Sequence, residues 1–410
     1  MIFSHYRDIT RGVGGPMEQL RVLSLTSCPP NKCGIATYAK EFYESLRPHG
    51  VQTYFATHTH DFFGNPIDYN GTKNIFPVFD PKKPASMKDV FDTVLELSPD
   101  VVHIQHEYGL WPSKPLLTML DKLSGRFPIS ITYHSAYSKP REEEINFTHE
   151  ASQIVDASTF HCTYQKRAAL PALGKSKAFV IPHGARADIR YDTEECKKNF
   201  GYEGNLIVGH ASWIAPNKGL HESVRVFSAA RDRIRNGKEV KLVIAGGYRD
   251  PNHKAYFDEL MQLIDESPAK NDIIFLGIEP VEGDDIYRTI SSFDAILGLY
   301  MHESQSGFDA RGYACGKPGV CTDIEGWGAQ ARESGARIAV KPKGYEERHG
   351  AHWAITDEEA AANALVTLMR DEEMRREMAQ NARQYRDNVI GWPVVGREIY
   401  DMFETIANRN

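Results

Sequence analysis

Short apolar runs alternate along most of the chain with stretches whose apolar residues recur at helical spacing. RVLSLT (21–26), VQTYFAT (51–57), DVVHIQHE (100–107) and ISITYHS (129–135) read as strands, with helical segments at about 36–48, 88–98 and 115–126. The rhythm restarts near residue 205. NLIVGHAS (205–212), KLVIAGG (241–247), DIIFLG (272–277) and DAILGLY (294–300) are interleaved with helical stretches at 218–236, 253–266 and 284–292. Apolar strands alternating with helices build parallel sheets, so the pattern predicts an α/β chain of two Rossmann-like halves in tandem. In such sheets ligands sit at the carboxyl ends of the strands.

The same pattern suggests boundaries. Residues 1–16 are polar, carry Gly12, Gly14, Gly15 and Pro16, and are expected to be a poorly ordered leader. A first domain is expected over 17–185, a hinge over 186–203 and a second domain over 204–390. The final segment, 391–410, has helical spacing and is expected to pack back on the first domain. Within VIPHGAR (180–186), Gly184 is expected to supply a positive φ at an interdomain turn.

Composition narrows the class. At 410 residues the chain is long enough for two cores, and 41% apolar with 25% charged residues is an ordinary globular balance. No run approaches the roughly 18 apolar residues of a membrane span. The first residues lack the apolar centre of a signal peptide. A net charge of −7 argues against binding nucleic acid through bulk positive charge. Six cysteines without a CxxC pair read as reduced thiols, so a cytoplasmic protein is expected, with at most peripheral membrane contact.

Four strand ends carry candidate chemistry. In SCPPNKCGIATYAKEF (27–42), Gly34 opens a helix whose N-terminus suits an anion, although a plain strand-to-helix turn would look the same. In GHASWIAPNKGLHES (209–223), Lys218 and Gly219 stand at a helix start, a cradle for a diphosphate or simply a solvated lysine. The spacing is not that of a Walker loop. In MHESQSGFDARGYACGKPGVCTD (301–323), Glu303 can accept sugar hydroxyls and the amides around Ser306 and Gly307 can meet an anion; a helix-capping acid is the plainer alternative. HIQHEYG (103–109) and TYHSAYS (132–138) close two strands. Their His103, His106, Tyr108 and His134 are candidates to touch substrate, and the first three are assigned to the acceptor side. THTHDF (57–62) lacks a third ligand, and no metal site is expected.

Taken in order, PPNKCGIATYAKE, HIQHEYG, ITYHS, VIPHGA, IAPNKG, IIFLG and E…SG…ACGKPGV resemble the retaining glycosyltransferases of family 4, from about residue 20 to the C-terminus. The CPPNKCGIATY and HIQHEYG segments look closest to a bacterial branch. The resemblance implies a GT-B fold, two Rossmann-like domains with a cleft between them, and transfer from a nucleoside-diphosphate sugar without metal or other cofactor. It implies that Gly34 faces the donor phosphates, His134 lies near the reacting sugar, Lys218 neutralises the diphosphate and Glu303 touches the donor sugar. His134, Lys218 and Glu303 are thereby the expected catalytic residues. Gly34, Trp213, Lys218, Gly219, Glu303, Ser306, Gly307 and Arg311 are the expected donor-binding set.

Two positions depart from the family pattern. Trp213 stands where a phosphate-binding arginine is usual. Arg311 replaces the second acid of the Glu-x7-Glu motif, so a donor replaces an acceptor opposite the nucleotide ribose. The resemblance implies a glycan, lipid-linked or small-molecule acceptor and a place in glycan or polysaccharide assembly. A catalytically silent saccharide- or partner-binding protein and a nucleotide-sugar epimerase on the same fold are the alternatives. A nicotinamide oxidoreductase is weaker, because AGG (245–247) and the first βα turn both lack the GxGxxG spacing.

Overall fold

A computed structural model describes residues 19–61, 63–234, 237–248, 250–277 and 283–408, so the expected 1–16 leader lies outside the described residues. Two parallel sheets organise the chain. The first contains β1 (Arg21–Leu25), β2 (Gln52–His58), β3 (Ile75–Phe79), β4 (Val101–His106), β5 (Ile129–Tyr133), β6 (Ala157–Phe160) and β7 (Lys177–Val180), in the order β3-β2-β1-β4-β5-β6-β7. The second contains β8 (Leu206–Ala211), β9 (Val240–Ala245), β10 (Ile273–Leu276), β11 (Ala295–Gly298), β12 (Gly319–Thr322) and β13 (Arg337–Val340), in the order β10-β9-β8-β11-β12-β13. A small antiparallel pair, β14 (Gly344–Arg348) and β15 (Ala351–Ile355), follows.

Both sheets reverse their strand order beside their first strand, between β1 and β4 and between β8 and β11. Such a reversal leaves a crevice at the carboxyl ends, where ligands bind. The predicted α/β, two-Rossmann reading is the observed architecture. The pattern missed short strands at or near the sheet margins. IFPVF forms edge strand β3, and its Pro77 is tolerated because an edge leaves one side unpaired.

The segment expected as a hinge, 186–203, packs on the second domain. Residues Thr193–Phe200 are helical, Lys197 pairs with Asp294 at 2.9 Å, and Ile189 and Tyr202 join the second domain's apolar core. The crossing itself is short and doubled. Ala185 N donates to Ile390 O (2.7 Å) and Trp392 N donates to Ala185 O (3.0 Å), so the outgoing and returning strands of chain are tied together. Gly184 has no positive φ there. It is required because a Cβ would meet the Trp392 ring at 2.4 Å. From this point helix Trp392–Ala407 packs on helix Gly34–Leu46 of the first domain, burying Val395, Ile399 and Phe403 against Tyr38, Phe42 and Leu46. The helices approach closely at Gly396, where a Cβ would come 2.7 Å from Ser45 O.

Candidate functional site

The carboxyl ends of the two sheets face each other across a cavity of about 500 Å³. Gly34, Tyr108 and His134 line it from the first domain; Trp213, Lys218, Glu303, Ser306, Gly307 and Arg311 line it from the second. Nine of the predicted residues therefore meet in one place.

Lys218 and Glu303 reach each other because their loops are stitched together. Met301 N donates to Asn217 O (2.9 Å), and Asn217 Nδ2 donates to His302 O (3.0 Å) and Glu303 Oε2 (3.3 Å). Gly219 does not line the cavity; it permits this approach. Its φ is +66°, and a Cβ would lie 1.8 Å from Leu299 O. The Lys218 ammonium forms an ion pair with Glu303 and sits 4.7 Å from the centroid of the Tyr300 ring. Both charged side chains are mostly buried, at 14% and 16% exposure, so their pairing is shielded from water and salt.

Two helix N-termini add positive potential. Cys33, Gly34 and Ile35 begin one helix, and Ser306, Gly307 and Phe308 begin helix Gly307–Ala314; all six residues line the cavity. A Cβ on Gly34 would meet nothing within 4 Å, which leaves the backbone open to a ligand. Helix Gly307–Ala314 is anchored from below by the fully buried pair Asp309–Arg337, with Oδ1 2.7 Å from Nη2. The Arg311 guanidinium lies 5.0 Å from the Phe308 ring centroid and borders both this cavity and a neighbouring one of about 420 Å³.

His134 lines the cavity, but its ring nitrogens face protein. Nδ1 is 3.2 Å from His161 Nε2, and Nε2 is 2.8 Å from the Gln105 side-chain amide. Burial holds His134 well below the usual histidine range and pushes His161 down to about 3, so both rings are neutral. His161 Nδ1 meets the Ile181 carbonyl, which only accepts, so that nitrogen carries the proton. His161 Nε2 must then accept from His134 Nδ1, which leaves His134 Nε2 as a lone pair needing a donor. Turning the Gln105 amide nitrogen toward it provides one, and turns the amide oxygen toward the Tyr43 hydroxyl. With both nitrogens engaged, the ring can shape the wall but offers a ligand no free nitrogen. His134, expected as a catalytic residue, thus stands in the cavity wall with both ring nitrogens bonded to protein.

His103 and His106 do not reach the cavity. Strand β4 is central and buried on both faces, so its histidines are core. His103 bonds Ser130 Oγ (2.7 Å) and Thr132 Oγ1 (3.2 Å), and His106 stacks on Phe147 at 4.2 Å; burial pushes both down to about 3. Their acceptor-side assignment fails for that reason. The group that does emerge is Glu107, the first residue beyond the strand. Its Oε2 accepts from Ser135 Oγ (2.7 Å) and its Oε1 from Tyr108 N (2.9 Å). Burial, helped by the negative charges of Glu303 and Glu144, raises its carboxyl to about 7 despite those two hydrogen bonds. The rule that ligands meet the carboxyl ends of parallel strands could have singled out Glu107 from the sequence.

The domains touch beside the site. Ser304 Oγ donates to Ala136 O (2.8 Å) and accepts from Gln165 Nε2 (2.8 Å), while Ser138 donates twice to Glu325 at 2.9 and 2.7 Å. Among the described residues, no three His, Cys, Asp or Glu side chains are grouped to hold a metal ion, and no helix is long and apolar enough to cross a membrane.

Residues 192–385 match the family model described as glycosyl transferases group 1. That stretch carries Trp213, Lys218, Glu303 and Arg311. No curated protein matches the chain. Among solved structures, Anabaena Alr3699/HepE in complex with UDP-glucose is similar at 17% identity and a TM-score of 0.72, covering 94% of this chain and 100% of that one. Sucrose-phosphate synthase from Thermosynechococcus elongatus is similar at 14% identity and a TM-score of 0.72, covering 94% and 98%. An E. coli trehalose-6-phosphate protein bound with UDP-2-fluoro glucose aligns at 14% identity and a TM-score of 0.68, covering 94% and 99%. At these identities the likeness shows the fold, which is GT-B.

Proposed function

We propose that the chain is a retaining, metal-independent glycosyltransferase that moves a sugar from a nucleoside-diphosphate sugar to a hydroxyl acceptor. The observation that carries this reading is the Lys218–Glu303 pair, set beside the N-terminus of helix Gly307–Ala314 and bordering the same cavity as Glu107. A diphosphate entering between the two helix N-termini attracts Lys218 away from Glu303. The freed carboxylate then accepts hydroxyls of the donor sugar. Lys218 and the amides near Ser306 and Gly307 stabilise the leaving diphosphate, where negative charge develops, so the positive charge a metal would bring is already present.

In the transfer step the bond from the anomeric carbon to the phosphate oxygen breaks, and the acceptor oxygen bonds to the same face of that carbon. The acceptor proton passes to the departing phosphate oxygen. Glu107 and His134 belong to the acceptor-facing wall, with Glu107 orienting the incoming hydroxyl. UDP-glucose is the first donor to test, and UDP the first nucleotide, because the HepE structures hold them. Arg311 would meet the nucleotide as a hydrogen-bond donor. The setting that fits is glycan or polysaccharide assembly in the cytoplasm.

Calorimetry with UDP, GDP, ADP and UDP-glucose on the wild type and Lys218→Ala tests the reading. One nucleotide is expected to bind the wild type and to lose about tenfold or more in affinity in the variant. If none binds at millimolar concentration, transfer is excluded. Arg311 and Trp213 in the cavity wall then favour a catalytically silent saccharide- or partner-binding protein.

A further inference from the structure

Two helices start where the diphosphate is proposed to lie, and each carries a charged side chain further along. Gly34, Thr37, Tyr38 and Glu41 recur every three or four residues on helix Gly34–Leu46, so they share one face of it, and all four line the interdomain cavity. Glu41 therefore stands two turns beyond the Gly34 end. On the facing wall Arg311 stands one turn beyond Gly307. The neighbouring cavity of about 420 Å³ opens between them: Thr37, Glu41, Tyr287 and Arg311 line both spaces.

The Glu41 side chain is held from behind. Its Oε2 accepts from Trp392 Nε1 at 2.7 Å, and Trp392 N donates to Ala185 O at the crossing between the domains. A carboxylate has about four acceptor sites, and the indole takes one of them. Burial raises the Glu41 carboxyl above its ordinary range, while the indole bond and the charges of Arg311 and Arg186 pull it back. Glu107 has other neighbours, since burial and the negative charges of Glu303 and Glu144 raise its carboxyl. The interdomain cavity thus has one end with Glu303 and Glu107 and another with Glu41 and Arg311.

Gly307 stands midway in sequence between Glu303 and Arg311. A nucleoside-diphosphate sugar has the same order of parts, with its diphosphate between the sugar and the ribose. A sugar at Glu303 and a diphosphate at the Gly307 amides bring the ribose to Arg311 and Glu41. Ribose hydroxyls need acceptors. The Arg311 guanidinium only donates, whereas the Glu41 carboxylate across from it accepts.

We infer that Glu41 binds the ribose hydroxyls of the nucleotide, so that a first-domain residue selects a ligand whose phosphates the second domain holds. The inference rests on the transferase reading and adds a specificity-determining residue to it. Because the contact crosses the cleft, a ribonucleotide ties helix Gly34–Leu46 to helix Gly307–Ala314, and a deoxynucleotide does so less firmly.

The test is calorimetry on the full chain with UDP, GDP and ADP and with their 2′-deoxy and 3′-deoxy forms, on the wild type, Glu41→Ala and Glu41→Gln. The nucleotide that the wild type binds is expected to lose about tenfold or more in affinity when one of its ribose hydroxyls is removed. Glu41→Ala should bind that nucleotide about tenfold more weakly than the wild type does, yet bind its deoxy form equally well, so that the discrimination vanishes. Glu41→Gln, which keeps an acceptor for the indole but offers no carboxylate, should reduce the discrimination about threefold or more. Melting curves report that each variant is folded, and Glu41→Gln carries the comparison if Glu41→Ala is not. Equal binding of ribo and deoxy forms by the wild type, a discrimination that survives the substitutions, or an equal loss of both forms in the variants would each overturn the assignment. Failure of the wild type to bind any of the three parent nucleotides would instead overturn the transferase reading.

Discussion

The hydroxyl of Ser304, in the second domain, donates to the carbonyl of Ala136, in the first, at 2.8 Å, and accepts from Ala136 N and from Gln165 Nε2. One buried hydroxyl thus joins the loop that carries Glu303 to the loop that carries His134. Separating the domains at this side of the cavity requires that this contact break, and closing them again requires that it re-form.

Ser304→Ala is therefore expected to favour the open cleft. The substitution removes the bonds to Ala136 and leaves Gln165 Nε2 only the longer contact to His134 O at 3.4 Å, at a cost of about 1–3 kcal/mol to the closed form. Small-angle scattering should show a larger radius of gyration, and wasteful donor hydrolysis should rise relative to transfer. Identical scattering from both proteins would show that the contact does not govern closure.

Glu107 gives the site a pH dependence. Its carboxyl is raised from 4.5 to about 7, chiefly by burial, so it is protonated in the folded chain at pH values where the unfolded chain has already ionised it. The stability it contributes is full below about pH 4.5 and is lost as the pH rises through about 7. Glu107→Gln should flatten the decline of melting temperature over that window. The same substitution should remove a titration near 7 from the kcat/KM profile. A profile with the same inflection in the variant would assign it to another group.

How far the sequence speaks depends on what each residue has to satisfy. Lys218, Glu303, Gly307 and Arg311 are legible because they follow second-domain strands, where apolar runs stop abruptly and polar loops begin. His103 and His106 mislead, because a histidine in a central parallel strand meets hydrogen-bonding neighbours such as Ser130 and Thr132 that only the folded sheet supplies. Gly184 is misread for a related reason. Glycine signals either a backbone conformation or a missing side chain, and only the position of Trp392, more than 200 residues away in the chain, decides between them. The His161–His134–Gln105–Tyr43 connection draws on four separate elements and leaves no local pattern.

The floor of the donor side is predicted to depend on Arg337. Both it and Asp309 are fully buried, and Arg337 also donates to Ala336 O (3.0 Å) from inside the sheet. Arg337→Met leaves the Asp309 carboxylate unpaired and is expected to destabilise the fold by about 3–5 kcal/mol. The double variant Arg337→Met/Asp309→Leu should recover a large part of that loss. Denaturant titration of the three proteins checks this, and a double variant no more stable than Arg337→Met would mean that packing, not the unpaired charge, dominates.

The Lys218–Glu303 pair makes a sharper prediction, because its two members should respond oppositely to a nucleotide that lacks the sugar. UDP offers Lys218 a diphosphate but offers Glu303 no sugar hydroxyl, so Glu303 acts only as a competitor for the ammonium. Glu303→Gln is therefore expected to bind UDP about tenfold more tightly than the wild type, a gain of about 1.4 kcal/mol. With UDP-glucose the same variant should gain nothing and should lose about 10²-fold in transfer, since the sugar is no longer held in register. Lys218→Ala should weaken both ligands. In the double variant the effects should not add, because the two side chains share one interaction. Titration calorimetry with UDP and UDP-glucose on the four proteins separates the outcomes. Weaker UDP binding by Glu303→Gln would mean that the carboxylate orients Lys218 for the phosphates and does not compete with them.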